Sequence, residues 1–285
     1  MERAEPFFVS LIIDGRAYPL HWHILSKEGA SNLAEQKALV SPVLDWFSEY
    51  LPVKLVLLGD REFHSVNFAE WLTGQGIDYV LREKKDLQVK QKDGSYRRLD
   101  FCSTRPGIKE FMTSVTVVKS KGFGQGNLAI YWKRPYRGKG EREAWYLLSN
   151  LTDIDEFIQS YRKRMGIEAM FRDEKKGGYN LEDCKANPKR LNALILVMAV
   201  AYTISSLKGK AIKKCRQDKY VGRNRPFKNK QTKNSYFKLG LYGQLFCGLP
   251  IRLMDLGRAL MEMTPEKRLF YWRGEEARRQ IQQAF

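Results

Sequence analysis

Apolar and polar residues over the first 25 positions follow the pattern of strands. Phe7–Ile13 and Ala17–Leu25 are two β-forming runs, and Asp14-Gly15 between them predicts a tight hairpin. The pattern then changes period. Leu33, Leu39, Val43, Leu44, Phe47 and Leu51 recur at helical spacing behind Ser31 and Asn32, either of which can cap a helix. Lys54-Leu-Val-Leu-Leu-Gly59 is a short continuous apolar run, which predicts a buried central strand with Asp60 at its C-terminal end. A helix over 66–72, glycines at 74 and 76, and a strand over 77–82 complete a strand–helix–strand unit, expected to be parallel and right-handed.

Between residues 85 and 150 the text breaks into short β-like pieces at 87–91, 96–102, 114–118, 128–132 and 144–148, with Asp93-Gly94 as a second hairpin signal. This region reads as an all-β insertion. Helical periodicity returns over 153–174 and 188–207, and a further helix is expected over 251–263. The apolar run from Ala193 through Ile204 reads as a helix buried on all sides, and no apolar run reaches the ~18 to 20 residues of a membrane span. The expected class is α/β. Its expected parts are 1–84, the first half of a core; 85–150, the insertion; 151–207, the second half; and 208–285, a basic, helical C-terminal region.

Charge narrows the partners. Fifty Lys and Arg against 32 Asp and Glu leave a net +18 and a pI near 9.7, which favours a polyanion, nucleic acid before an anionic membrane. Residues 208–238 hold twelve Lys or Arg and one acid, Asp218, interleaved with Tyr220, Phe227, Tyr236 and Phe237. That mixture suits phosphate contact with some base stacking, the alternative being a solvated basic loop or disordered arm. Cys102, Cys184, Cys215 and Cys247 form no paired motif, so a zinc ribbon or disulfide framework is not expected and a reduced cytosolic setting is.

The candidate chemistry lies in Tyr161-Arg-Lys-Arg164-Met-Gly-Ile-Glu168 and Lys175. On one continuous helix, Tyr161, Arg164, Glu168 and Lys175 share an arc of about 60°. One carboxylate between two cations and a phenol reads as a face for a phosphate backbone, or as a surface stripe with an ordinary Arg164–Glu168 pair. The Tyr, Arg, Glu, Lys spacing, joined to Asp60 in Gly59-Asp-Arg-Glu-Phe63 with a β-rich stretch between, closely resembles insertion-sequence transposases of the DDE class. More narrowly it resembles their insertion-sequence-four family, and Asn234-Ser-Tyr-Phe-Lys-Leu-Gly240 is also family-like.

The resemblance implies a ribonuclease-H-like core that holds two Mg2+ or Mn2+ ions for metal-dependent DNA cleavage and strand transfer at insertion-sequence ends. Asp60 would be the family's second acid and Glu168 its third, both metal ligands. Arg164 and Lys175 would hold phosphates of the terminal inverted repeats, with Tyr161 beside the cleaved strand and Arg61 as a further phosphate contact. Target DNA would be the second substrate. A homodimer, no membrane, and a bacterial, nucleoid-associated location follow by the same resemblance.

The family's first acid ends a strand that precedes the opening hairpin, so that strand and the N-terminal DNA-binding region are expected to be missing here. Asp14 is the substitute within reach, but as a hairpin turn it is expected at a sheet edge. Two other readings stay open: an inactive, truncated transposase that still binds DNA, and a ribonuclease-H-like nuclease without end preference. His21 and His23 share a strand face without an evident third metal ligand, Gly122-Phe-Gly124-Gln-Gly126 reads as a turn rather than a phosphate loop, and Trp132 and Trp145 read as core.

Overall fold

The computed structural model describes residues 5–25, 30–51, 53–102, 105–118, 124–137, 143–176, 186–221, 234–248 and 263–283. It divides into two compact units, Met1–Glu168 and Ala169–Phe285. Nearly all of the expected helix over 251–263, the middle of the basic stretch (222–233) and the first two residues of the 122–126 turn lie outside the described residues, while Gln125 and Gly126 begin a strand.

The first unit opens with β1 (Glu5–Ile13) and β2 (Arg16–Leu25), paired antiparallel across the Asp14-Gly15 turn. Both turn residues have positive φ, 51° and 73°, as a two-residue turn matched to strand twist requires. Helix α1 (Leu33–Tyr50) starts at Asn32, whose side chain accepts from the Glu35 N–H while Glu35 returns the bond to the Asn32 N–H.

Next come β3 (Val56–Gly59), α2 (Val66–Gly74) and β4 (Asp78–Arg82), with β3 and β4 parallel as expected. The expected central strand is corrected: β3 is an edge, because the five-stranded sheet runs β3-β4-β9-β8-β7. Its continuous apolar text serves a strand with sheet on one side and packed residues on both faces. Strands β7 (Lys109–Thr116), β8 (Gln125–Tyr131) and β9 (Trp145–Ser149) pair antiparallel and join this sheet through β9 and β4, while β5 (Gln88–Lys90) and β6 (Tyr96–Arg98) form a separate hairpin.

Strand alternation sorts the core into two layers. Tyr79, Leu81, Leu128, Ile130, Tyr146 and Leu148 face α2 and α1, with Phe68, Leu72 and Val40 against them. Val80, Ala129, Trp145 and Leu147 face the other way, onto Phe157 and Tyr161 of α3 (Ile154–Lys163). Trp145 is thus core, as expected, and Trp132 packs on the first layer.

The second unit is helical. It takes in most of α4 (Met165–Lys176), then α5 (Pro188–Lys214), α6 (Tyr236–Gly248) and α7 (Pro265–Gln283). Helices α5 and α6 cross closely because Gly209 and Gly240 sit at the contact. A Cβ on Gly209 would run into the Tyr236 carbonyl, and one on Gly240 into the Ser205 carbonyl. Tyr202 and Phe237 stack across the same crossing at 5.2 Å.

Two expectations for α5 are corrected. The helix is not buried all round, since Leu196, Val197 and Val200 are each at least half exposed, and by length and composition it is apolar enough to cross a membrane. The helix runs to 27 residues, and an 18-residue window within it that admits a few polar positions reaches a mean hydropathy of 1.6, although no uninterrupted apolar run is that long.

Glu174 is 2% exposed, and burial together with the neighbouring Asp173 carboxylate raises its pKa from 4.5 to about 7. Between those values the folded chain keeps a proton that the unfolded chain has lost, so stability is full below pH 4.5 and falls as pH rises toward 7. The loss should be on the order of 3 kcal/mol. Glu174→Gln is expected to flatten this slope, read as the difference in urea midpoint between pH 5 and pH 7.5. An unchanged slope would remove Glu174 from the account.

Candidate active site

Asp60 leaves the end of β3 and caps the 3-10 turn Arg61–Phe63, its Oδ1 accepting the Glu62 N–H at 3.0 Å. Gly59 makes this placement possible: a Cβ there would come within 2.6 Å of Leu81 and 2.8 Å of Phe63. Any larger residue would push β3 off β4 and move Asp60. His64 closes the turn by donating from Nδ1 to the Arg61 carbonyl at 2.6 Å.

The single helix expected over 153–174 is corrected to two, α3 and α4, which break at Arg164. Across the break the Arg164 N–H bonds to the Tyr161 carbonyl and the Ile167 N–H to the Arg164 carbonyl, both at three-residue spacing. Gly166, next to the break, packs closely against the hairpin turn. A Cβ there would stand 3.3 Å from both the Gly15 carbonyl oxygen and the Ala17 nitrogen.

The break changes what each residue of the expected arc does. Arg164 becomes the centre: its guanidinium lies 2.6 Å from Glu168 Oε1 and 3.7 Å from Asp60 Oδ2, with its charge over the Tyr161 ring at 5.5 Å. Asp60 and Glu168 are each about half exposed, whereas Arg164 is 14% exposed. Two solvent-facing carboxylates are therefore held one guanidinium apart, by a cation whose stem is packed away.

Tyr161 faces inward. It is 2% exposed, edge-on to Trp145 at 5.0 Å, and its buried hydroxyl lies toward Arg82. Burial pushes this phenol's pKa up while Arg164 and Arg82 pull against it. The ring lies under the Arg164 guanidinium. Tyr161→Phe is accordingly expected to change stability by less than about 1 kcal/mol and to leave any cleavage within a fewfold of wild type, while Tyr161→Ala destabilises by about 3 to 5 kcal/mol. Thermal unfolding and nicking of the two variants check this; a large cleavage loss in a stable Phe variant would overturn it.

Arg61 points to a second ion cluster. It pairs with Glu143, which also accepts from Arg82 at 3.1 Å. Burial and the nearby Arg82 hold the Arg61 guanidinium below its ordinary pKa. Sequence reading missed Arg82 and Glu143. The parallel register Gly59↔Leu81 places Arg82 beside Asp60, a signal available once the two strands are taken as neighbours. Glu143 had no such signal, because its position depends on where β9 enters the sheet.

Lys175 lies about two turns beyond Glu168 along α4, in the second unit. Asp14 sits in the turn packed against Gly166, yet it forms no three-acid cluster with Asp60 and Glu168. Among the described residues no group of three or more His, Cys, Asp or Glu has the spacing to hold a metal, and the His21–His23 pair, 3.2 Å apart, gains no third ligand.

The donor set was tested against the implied metals on this geometry. Two half-exposed carboxylates fit one hard divalent ion, since Mg2+ is commonly held by one or two carboxylates with water and substrate phosphate completing its shell. They do not by themselves fit a pair. A family model described as a transposase DDE domain matches residues 8–204. No curated protein matches the chain.

Proposed function

From the premise that this chain belongs to the transposase DDE-domain family, we propose that it cuts and joins DNA at the ends of an insertion sequence, with Asp60 and Glu168 as the catalytic acids. Family membership makes it a transposase in the general sense and DNA its substrate class. The observation that carries the finer reading is the convergence of β3 and the α3–α4 break on one guanidinium, which sets the two acids side by side at the surface.

A divalent ion held there would polarise a phosphodiester and lower the pKa of its bound water. The protein's own groups do the rest. Arg164, fixed from below by Tyr161, neutralises the acids until an ion or phosphate takes its place and then offers its donors to the phosphate, for which a planar fork is suited. Arg61 and Arg82 add positive charge on the Asp60 side, with Glu143 keeping them from mutual repulsion while DNA is absent. Lys175 extends the positive row along α4, and the basic stretch 208–238 supplies less specific phosphate contact.

We assign the chain to the insertion-sequence-four kind with a ribonuclease-H-like core. The terminal inverted repeats and target DNA are its substrates, Mg2+ or Mn2+ its ion, and a homodimer on the nucleoid its working form. The deciding experiment incubates the chain with Mn2+ and DNA bearing the element's own inverted repeats or a shuffled repeat. Nicking confined to the repeats is expected. Equal nicking of both makes it a nuclease of similar fold, and salt-sensitive binding without nicking makes it a DNA-binding protein only.

A further inference from the structure

His21 and His23 stand two residues apart on β2, so strand alternation puts both rings on one face of the hairpin. Their Nε2 atoms lie 3.2 Å apart, and the ring centroids 5.0 Å apart with the planes at 69°. Each residue is partly exposed, and nothing in the proposed cleavage uses either of them. Burial and the neighbouring His23 hold His21 below its ordinary pKa, so this ring offers a lone pair at neutral pH.

The two distances together describe a chelate. Nitrogens on one tetrahedral Zn2+, each about 2.0 to 2.1 Å from it, stand about 3.3 to 3.4 Å apart, close to the 3.2 Å seen here. The centroid spacing gives the aim of the rings. An imidazole centroid lies about 1.15 Å behind its Nε2, so rings pointed straight at each other across the 3.2 Å gap would have centroids about 5.5 Å apart. Rings pointed at a common centre about 2.05 Å from both nitrogens would bring the centroids to about 5.0 Å, the spacing observed. The side chains are therefore disposed as two radii of one ion.

We propose that His21 and His23 form a two-imidazole chelate for one borderline divalent ion, Zn2+ or Cu2+. Among the described residues no third His, Cys, Asp or Glu joins them, so water fills the remaining positions. In the resting pair one Nε2 donates to the other; on binding, the donor ring carries its proton on Nδ1 instead, and both Nε2 lone pairs face the ion. Imidazole nitrogen suits Zn2+ and Cu2+ whereas Mg2+ takes oxygen, so this pair and the acids Asp60 and Glu168 select different ions. Phe7 and Val9 are the cross-strand partners of His23 and His21 and share their face. Phe7 in turn stacks on Phe63 at 5.1 Å, at the end of the turn that Asp60 caps. The ion thus binds the hairpin on the side that packs against this turn, and it stabilises the folded hairpin by mass action.

The test titrates the full chain with Zn2+ and with Cu2+ by calorimetry, its thiols alkylated and excess Mg2+ present to occupy carboxylate sites. One site is expected, tighter for Cu2+ than for Zn2+ as nitrogen ligands order these ions. His21→Asn and His23→Asn should each weaken both ions by about tenfold or more, because one imidazole cannot chelate. Electron paramagnetic resonance of the wild-type Cu2+ complex should show coupling to two nitrogens, a readout that needs no variant to fold and decides alone if either variant does not. Coupling to one nitrogen or none overturns the proposal. So does Zn2+ affinity that survives in both folded variants, which would assign the ion elsewhere in the chain, or displacement of Zn2+ by Mg2+, which would assign it to the acids.

Discussion

Asp60→Asn and Glu168→Gln are each expected to reduce metal-dependent nicking at a DNA end by about 10³-fold or more, while binding to the same DNA persists. Each change is nearly isosteric and removes one of two hard anionic ligands, so the ion loses charge stabilisation worth ~4 kcal/mol in the transition state. The fold should survive. Both side chains are about half exposed, and the Asp60 Oδ1 bond to the Glu62 N–H can be made by an Asn oxygen. In the proposed mechanism the two acids would share one ion, so the double variant should lose little more than either single one. Quantitative nicking with anisotropy on the same substrate is the check. Wild-type nicking by either variant would strike that residue from the mechanism.

The second large effect belongs to Arg164, and it has two opposed parts. In the resting site its guanidinium occupies the space between the acids and competes with a cation for both. Arg164→Met should therefore let Mn2+ act at lower concentration. It should also remove the clamp on the phosphate and lower the maximal rate by about 10²-fold, the usual scale for losing one preorganised charge-stabilising donor. Arg164→Lys keeps a positive charge without the planar fork, and should recover only a small part of the rate. Titrating Mn2+ for the three proteins separates the parts. A structural role alone would lower the rate through misfolding and would not shift the metal midpoint downward. A Lys variant within twofold of wild type would show that charge suffices and the fork does not matter.

The sequence carried those features that depend on neighbours along the chain. The Asp14-Gly15 hairpin, the Asn32 cap, the strand before Asp60, the α2 helix and the positions of Glu168 and Arg164 were legible because turn chemistry, capping and periodicity are local. The spaced Tyr, Arg, Glu and Lys also pointed to the DDE class, and the family match supports that class over residues 8–204. Local rules could not tell that the helix breaks at Arg164. Beside the break the backbone packs closely on the hairpin some 150 residues earlier in the chain, where a Cβ at Gly166 would be tight.

Tertiary structure decided the rest, for one recurring reason: sheet order and burial are properties of pairs far apart in sequence. β3 reads as central from its own residues and stands at an edge because no described strand pairs with its outer side, the opening hairpin forming a sheet of its own. Tyr161 reads as a ligand-facing phenol and is core, since Trp145 arrives beneath it. Glu83 stands beside Lys84 and Lys85 in the sequence and is nevertheless 1% exposed. Residue identity determined which groups could carry this protein's chemistry; packing determined which are presented to a substrate and which are spent holding those in place.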